Sequence, residues 1–277
     1  MKFVRLPLLL VTLAALSACA QTAVDLEGRN FTLAGNAEPA GQSSMARPLG
    51  GLVSNSGPTY VTLTVSATDT QGLVRKGDQT TSAVTSGSGF LVDKTGYVLT
   101  AAHVAMADGF LVSARAADGH VYTGVVVDVL PTNDMALIKL RGYSGRAVSP
   151  VPNNCLARGD TVFSLGKPHA QGDTARVGHL EAMHFGRAVQ YGKFGYPDAM
   201  VLRMNTQKGE SGGPLFDGSG HLVGMVVSTL TDGNGRSLNL AHAVPATSLA
   251  GFLCTHISCT NNWQALAKQS TVDCPAV

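Results

Sequence analysis

The sequence predicts an all-β fold made of two similar β units and followed by a short C-terminal helix. Three observations point there. The 32 glycines among 277 residues exceed the roughly 7% expected of soluble domains, and the 14% of charged residues falls below the roughly 25% usual. That balance suits short strands joined by many turns. Segments alternating with period two recur from Tyr60 onward, whereas no long segment carries a helical period before Ala246. Finally, residues 89–99 can be laid over residues 213–223, both reading as strand, Asp-x-Ser/Thr-Gly turn and strand.

Taken in order, residues 1–18 have the form of a secretory signal: Lys2 and Arg5, an apolar run over 6–16 too short to span a bilayer, then small residues. Leu16-Ser17-Ala18-Cys19 resembles the bacterial lipobox, in which cleavage exposes a cysteine that becomes acylated. The alternative is cleavage after Ala18-Cys19-Ala20, of A-x-A form, which discards Cys19. On the lipid reading Cys19 anchors the protein to the cell envelope. The lack of aspartate at Ala20 and Gln21 resembles an outer-membrane address, periplasmic or at the surface. Without the leader, 18 basic side chains face 18 acidic ones, so nothing argues for nucleic acid as a partner.

Residues 19–57, rich in Gly, Ala, Ser, Asn and Pro, read as a lipidated tether or loosely docked arm. A first β unit spans 58–145, with strand candidates at 60–65, 89–92, 97–100, 124–130 and 135–140. Residues 146–160, with Pro150, Pro152, Asn153 and Asn154, have a linker's composition. A second unit spans 161–245, with strands at 161–165 and 222–227, and 246–277 reads as a helix and a Cys-bearing tail. Cys155, Cys254, Cys259 and Cys274 form an even set in an exported chain, which predicts two disulfides; the sequence leaves all three pairings open.

Ser211 sits in Gly209-Glu210-Ser211-Gly212-Gly213-Pro214, where flanking glycines let the backbone take positive φ and bring N–H groups close to a reacting carbonyl. A serine hydroxyl needs a general base, usually a histidine oriented by a carboxylate. Thr100-Ala101-Ala102-His103-Val104 places a histidine at a strand end, and Asn133-Asp134-Met135 places an aspartate where a turn enters an apolar strand. Each alone is commonly a turn, surface or capping residue; the His, Asp, Ser order makes chance a poor account of the three together. The remaining histidines, His242 included, read as surface or loop residues, and no metal site is expected.

At these motifs the chain resembles trypsin-like serine proteases of the chymotrypsin fold, and especially the HtrA (Deg) type of bacteria. Gly87-Ser88-Gly89-Phe90-Leu91-Val92 with Gly96-Tyr97-Val98-Leu99-Thr100-Ala101-Ala102-His103-Val104 carries the resemblance, as do Asn133-Asp134-Met135-Ala136-Leu137, the Ser211 turn, and Ala241-His242-Ala243-Val244-Pro245. The resemblance implies two antiparallel six-stranded β-barrels and an endopeptidase needing no cofactor and acting on proteins or peptides. His103 would be base and then acid, Asp134 its orienting group and Ser211 the nucleophile, with the N–H groups of Gly209 and Ser211 as oxyanion hole. It also implies Asn205, Ser228 and Thr229 at the primary pocket, which then favours small or medium uncharged side chains. For the cysteines it implies Cys155 with Cys254 and Cys259 with Cys274.

Two features depart from the family pattern. Glu210 stands where digestive enzymes have an aspartate paired with a freed N-terminus, so the oxyanion loop must be ordered by other contacts or by substrate. The 32 residues after Pro245 are too few for the PDZ domain usual in HtrA proteins. The same turn satisfies G-x-S-x-G, the elbow of α/β-hydrolases, but that motif requires a helix directly after the serine and Pro214-Leu215-Phe216 reads as strand. A competing function is a non-catalytic binding or structural lipoprotein on the same fold.

Overall fold

The computed structural model describes residues 23–26, 29–35, 42–69, 84–152, 156–168 and 172–269. Cys19, Cys155 and Cys274 lie outside them. The chain enters through β1 (Ala23–Leu26), β2 (Arg29–Gly35) and the helix α1 (Gln42–Ser56). Six strands follow, β3 (Tyr60–Asp69), β4 (Val84–Leu91), β5 (Tyr97–Thr100), β6 (Phe110–Arg115), β7 (Val121–Leu130) and β8 (Met135–Leu140), with the short helix α2 (Ala102–Ala105) after β5. They close an antiparallel barrel in the order β3-β4-β5-β8-β7-β6.

The second unit contains β9 (Thr161–Gly166), β10 (Thr174–Ala182), β11 (Val189–Tyr191), β12 (Phe194–Tyr196), β13 (Met200–Arg203), β14 (Pro214–Asp217), β15 (Leu222–Thr231) and β16 (Ser237–Pro245). The order β10-β13-β16-β15-β14-β9, with β9 pairing back to β10, closes a second six-stranded antiparallel barrel. The hairpin β11–β12 stands apart as a two-stranded sheet. Ser211 is followed by strand β14, antiparallel to β15, and not by the helix of a hydrolase elbow.

The internal repeat is realised as two hairpins with one turn chemistry. Asp93 Oδ1 accepts from the N–H of Thr95 (3.1 Å) and Tyr97 (2.8 Å); Asp217 Oδ1 accepts from Ser219 (2.9 Å) and His221 (2.8 Å). Gly96 and Gly220 follow with φ of 101° and 86°, the left-handed region an L side chain avoids.

Three expectations are corrected. The arm is not loosely docked where it is described: β2 pairs in parallel with β10, and Phe31 and Val53 are fully buried. Its composition concealed this, because α1 carries Pro48 and Gly50-Gly51, poor helix formers, and takes its stability from tertiary packing. Among the described residues two helices follow β16 instead of one, α3 (Ala246–His256) and α4 (Asn261–Ala267). Between them Cys254 bonds to Cys259, their Cα atoms 5.3 Å apart. This overturns Cys155 with Cys254 and Cys259 with Cys274: the end of α3 and the four-residue connection that follows it already bring the two thiols together.

Candidate active site

His103 lies in α2, just past the end of β5. Asp134 ends a 3-10 turn over Pro131–Asn133 with φ of 49°, a left-handed conformation uncommon outside glycine. This backbone turns a fully buried carboxylate toward His103. The His103 N–H donates to Oδ1 at 3.0 Å, and Nδ1 lies 2.9 Å from Oδ2 and 3.1 Å from Oδ1. An ionised carboxylate only accepts, so Nδ1 carries the proton and the neutral ring keeps its lone pair on Nε2.

The hairpin β11–β12 reaches from the second barrel across this pair. The Tyr191 hydroxyl donates to Asp134 Oδ2, and the rings of Tyr191 and Phe194 stand edge-on to His103 at 5.7 and 6.3 Å. Burial, then the Asp134 charge and the hydrogen bond to it, hold the Tyr191 hydroxyl far above the ordinary tyrosine range, so it stays a neutral donor.

The turn bearing Ser211 sits against the segment bearing His103. A Cβ on Gly212 would come within 2.2 Å of the Ser88 oxygen, 2.3 Å of Thr100 Oγ1 and 3.0 Å of the Ala101 nitrogen, so only glycine fits. Gly209 and Gly212 have φ of 96° and 83°. Ser88 clamps the turn twice, its N–H donating to the Ser211 oxygen (2.9 Å) and its Oγ to the Gly209 oxygen (2.8 Å). The Ser211 hydroxyl donates to the Val227 oxygen at 3.2 Å. Among the described residues, neither the Gly209 nor the Ser211 N–H has a hydrogen-bond partner.

Glu210 is 2% exposed and is held by Arg176 of β10: Nε lies 2.9 and 3.0 Å from its carboxylate oxygens and Nη2 2.6 Å from one of them. The same carboxylate accepts from the Gln207 N–H at 2.9 Å, and the Glu210 N–H returns to the Gln207 oxygen at 3.1 Å. The ordering contact that the sequence left open is thus an internal arginine. Fork-to-carboxylate pairing fixes geometry as well as charge.

The expected pocket residues lie on two elements, Asn205 after β13 and Ser228 and Thr229 on β15. Asn205 Oδ1 accepts from Ser237 Oγ (3.2 Å), Thr229 Oγ1 shares a 2.6 Å bond with Thr206 Oγ1, and Ser228 Oγ lies 2.7 Å from the Tyr196 hydroxyl. Tyr196 also meets His242 Nδ1 at 2.7 Å. His242 is 2% exposed and not a surface residue as expected; burial lowers its pKa to about 4. Its Nε2 has no partner among the described residues.

Arg176, Tyr191, Tyr196 and the clamping role of Ser88 escaped sequence reasoning. Arg176 lies 34 residues from Glu210 and Tyr191 57 from Asp134. Nothing in the local sequence marks Arg176, which lies in a strand that also carries Thr174, His179 and Glu181.

Residues 87–225 match the trypsin-like peptidase domain family. The "Probable periplasmic serine endoprotease DegP-like" of Brucella suis biovar 1 (strain 1330) is 30% identical over 167 residues, covering 60% of this chain and 31% of that protein. "Protease Do-like 5, chloroplastic" of Arabidopsis thaliana is 32% identical over 176 residues, covering 58% of this chain and 53% of that one. The chain therefore spans under a third of the first relative's length and about half of the second's. Among solved structures, the HtrA-type protease AlgW with tripeptide superposes with a TM-score of 0.62 at 24% identity, covering 75% of this chain and 62% of that one. The Rv3671c protease from M. tuberculosis, active form, superposes with a TM-score of 0.62 at 23% identity, covering 83% and 91%. At such identities these two neighbours speak to the fold.

Proposed function

The chain belongs to the trypsin-like peptidase domain family, and on that premise we propose that it is an exported serine endopeptidase. It hydrolyses peptide bonds in cell-envelope proteins through His103, Asp134 and Ser211. The observation that carries this reading is His103 paired with the buried Asp134 beside a glycine turn that presents Ser211 with two N–H groups unengaged among the described residues. The Ser211 hydroxyl leaves the Val227 oxygen for His103 Nε2, gives up its proton there, and attacks the carbonyl carbon. Asp134 stabilises the imidazolium that forms. The oxygen of the tetrahedral intermediate accepts from the N–H groups of Gly209 and Ser211. Collapse expels the amine, protonated by His103, and leaves an acyl-enzyme on Ser211. Water, activated by the same ring, then releases the acid.

Export follows from the leader over 1–18, and acylation of Cys19 anchors the mature chain in a bacterial envelope, at the outer membrane. The pocket near Asn205, Ser228 and Thr229 carries no acid to select Arg or Lys, so small or medium uncharged side chains are preferred. A fluorophosphonate probe should label the folded protein and fail to label Ser211→Ala. Faster cleavage after Arg or Lys in a peptide library would refute the specificity. A second reading, a binding lipoprotein that keeps the barrels, is favoured by one observation: the Ser211 hydroxyl rests on the Val227 oxygen. Well-folded protein that resists the probe would select it.

A further inference from the structure

The loop carrying Gly209 and Glu210 is held from two sides, and both supports lead back to the arm strand β2. On one side Arg176 grips Glu210 from β10. One edge of β10 is shared by two neighbours: β13 pairs with it over His179, Leu180 and Ala182, and β2 over Thr174, Ala175, Arg176 and Val177. Strand β2 therefore covers the very stretch of edge that carries Arg176. Without it the backbone groups there would lose their ladder partners, and unpaired edge groups fray or seek water.

On the other side Phe31, fully buried, packs edge-on against Tyr60 with ring centroids 5.6 Å apart. The Tyr60 hydroxyl lies 3.4 Å from Ser88 Oγ and donates to Asp173 Oδ1 at 3.5 Å. Ser88 Oγ donates to the Gly209 oxygen. The Thr32 N–H donates to the Asp173 oxygen at 2.8 Å, so the arm is joined to both supports at their common end.

We propose that β2 is an intramolecular activating strand and that Phe31 is a positioning residue for the oxyanion loop. By pairing with β10 it fixes Arg176 and hence Glu210; by seating Phe31 on Tyr60 it fixes Ser88 and hence the Gly209 carbonyl. Strand addition does here, within one chain, what an added peptide does elsewhere on an open sheet edge. This rests on the peptidase reading above.

The test compares the full chain with Phe31→Ala, Phe31→Leu and Thr32→Pro. Three quantities are measured: fluorophosphonate labelling rate, inhibition by a peptide aldehyde that forms an oxyanion on Ser211, and inhibition by the corresponding peptide alcohol, which forms none. Phe31→Ala and Thr32→Pro should each slow labelling about tenfold and weaken the aldehyde by a similar factor, while alcohol affinity changes less than about twofold. Phe31→Leu should restore most of the rate. Should Phe31→Ala not fold, Thr32→Pro and Phe31→Leu carry the same comparison. Folded variants that melt earlier but keep the parent's labelling rate and aldehyde affinity overturn the inference and leave the peptidase reading standing. A parent chain that resists the probe overturns both.

Discussion

The guanidinium of Arg176 holds the carboxylate of Glu210 one residue before Ser211, in a pair almost without solvent contact. Removing one partner of such a pair strands the other charge, which costs about 3–5 kcal/mol, whereas replacing both by apolar groups of similar volume is often neutral. Arg176→Met should therefore destabilise strongly in urea unfolding. The double variant Arg176→Met with Glu210→Met should recover much of that stability. It should not recover the labelling rate of Ser211, because the contact to the Gln207 N–H is also lost.

Tyr191→Phe removes a hydroxyl that donates to Asp134 Oδ2 and leaves the ring packed on His103. A hydrogen bond to a charged group is worth about 1.5–3 kcal/mol. Without it the Asp134 carboxylate is held less firmly in place for His103, so kcat should fall about tenfold with KM little changed. An unchanged kcat would assign Tyr191 to packing alone.

Gly209 has φ of 96°, and proline is fixed near −65°, so Gly209→Pro removes the N–H and also refuses the backbone shape. Loss of one oxyanion donor costs about 2.7–4 kcal/mol, a fall in kcat of about 10²–10³. Gly209→Ala keeps the donor and should retain more activity at some cost in stability. Both follow from steady-state kinetics beside thermal melts.

His242 is buried neutral, its pKa lowered from 6.5 to about 4 by burial. Below pH 6.5 the unfolded chain takes up a proton that the folded chain refuses until about pH 4. Stability should decline as pH falls through that window, by on the order of 2 kcal/mol, and this group should have no effect above it. In His242→Gln that part of the slope should vanish from a series of melts at stepped pH.

What could be read from the sequence was local. The alternation of residues 60–65 and 135–140, and the aspartates that open both hairpin turns, involve neighbours a few residues apart. His103 and Ser211 stood out among small residues, and Asp134 where a turn enters an apolar strand, each within a short local pattern. Strand β10 did not stand out: with Arg176 buried inside a barrel wall, its polarity no longer tracks its exposure. Arg176 and Tyr191 find their partners only when the barrels close, and no spacing rule reaches that far. The Cys254–Cys259 bond was missed for the opposite reason, since a family habit outweighed simple proximity at the end of a helix.

His103 and Asp134 stand on the first barrel and Ser211 on the second, while Ser88 and Tyr191 cross between them in opposite directions. Turnover is therefore a gauge of how well the two halves are aligned. A small separation of the two barrels would weaken these crossings before any ladder within a barrel. In rising denaturant, hydrolysis should cease while circular dichroism still reports a full complement of strands.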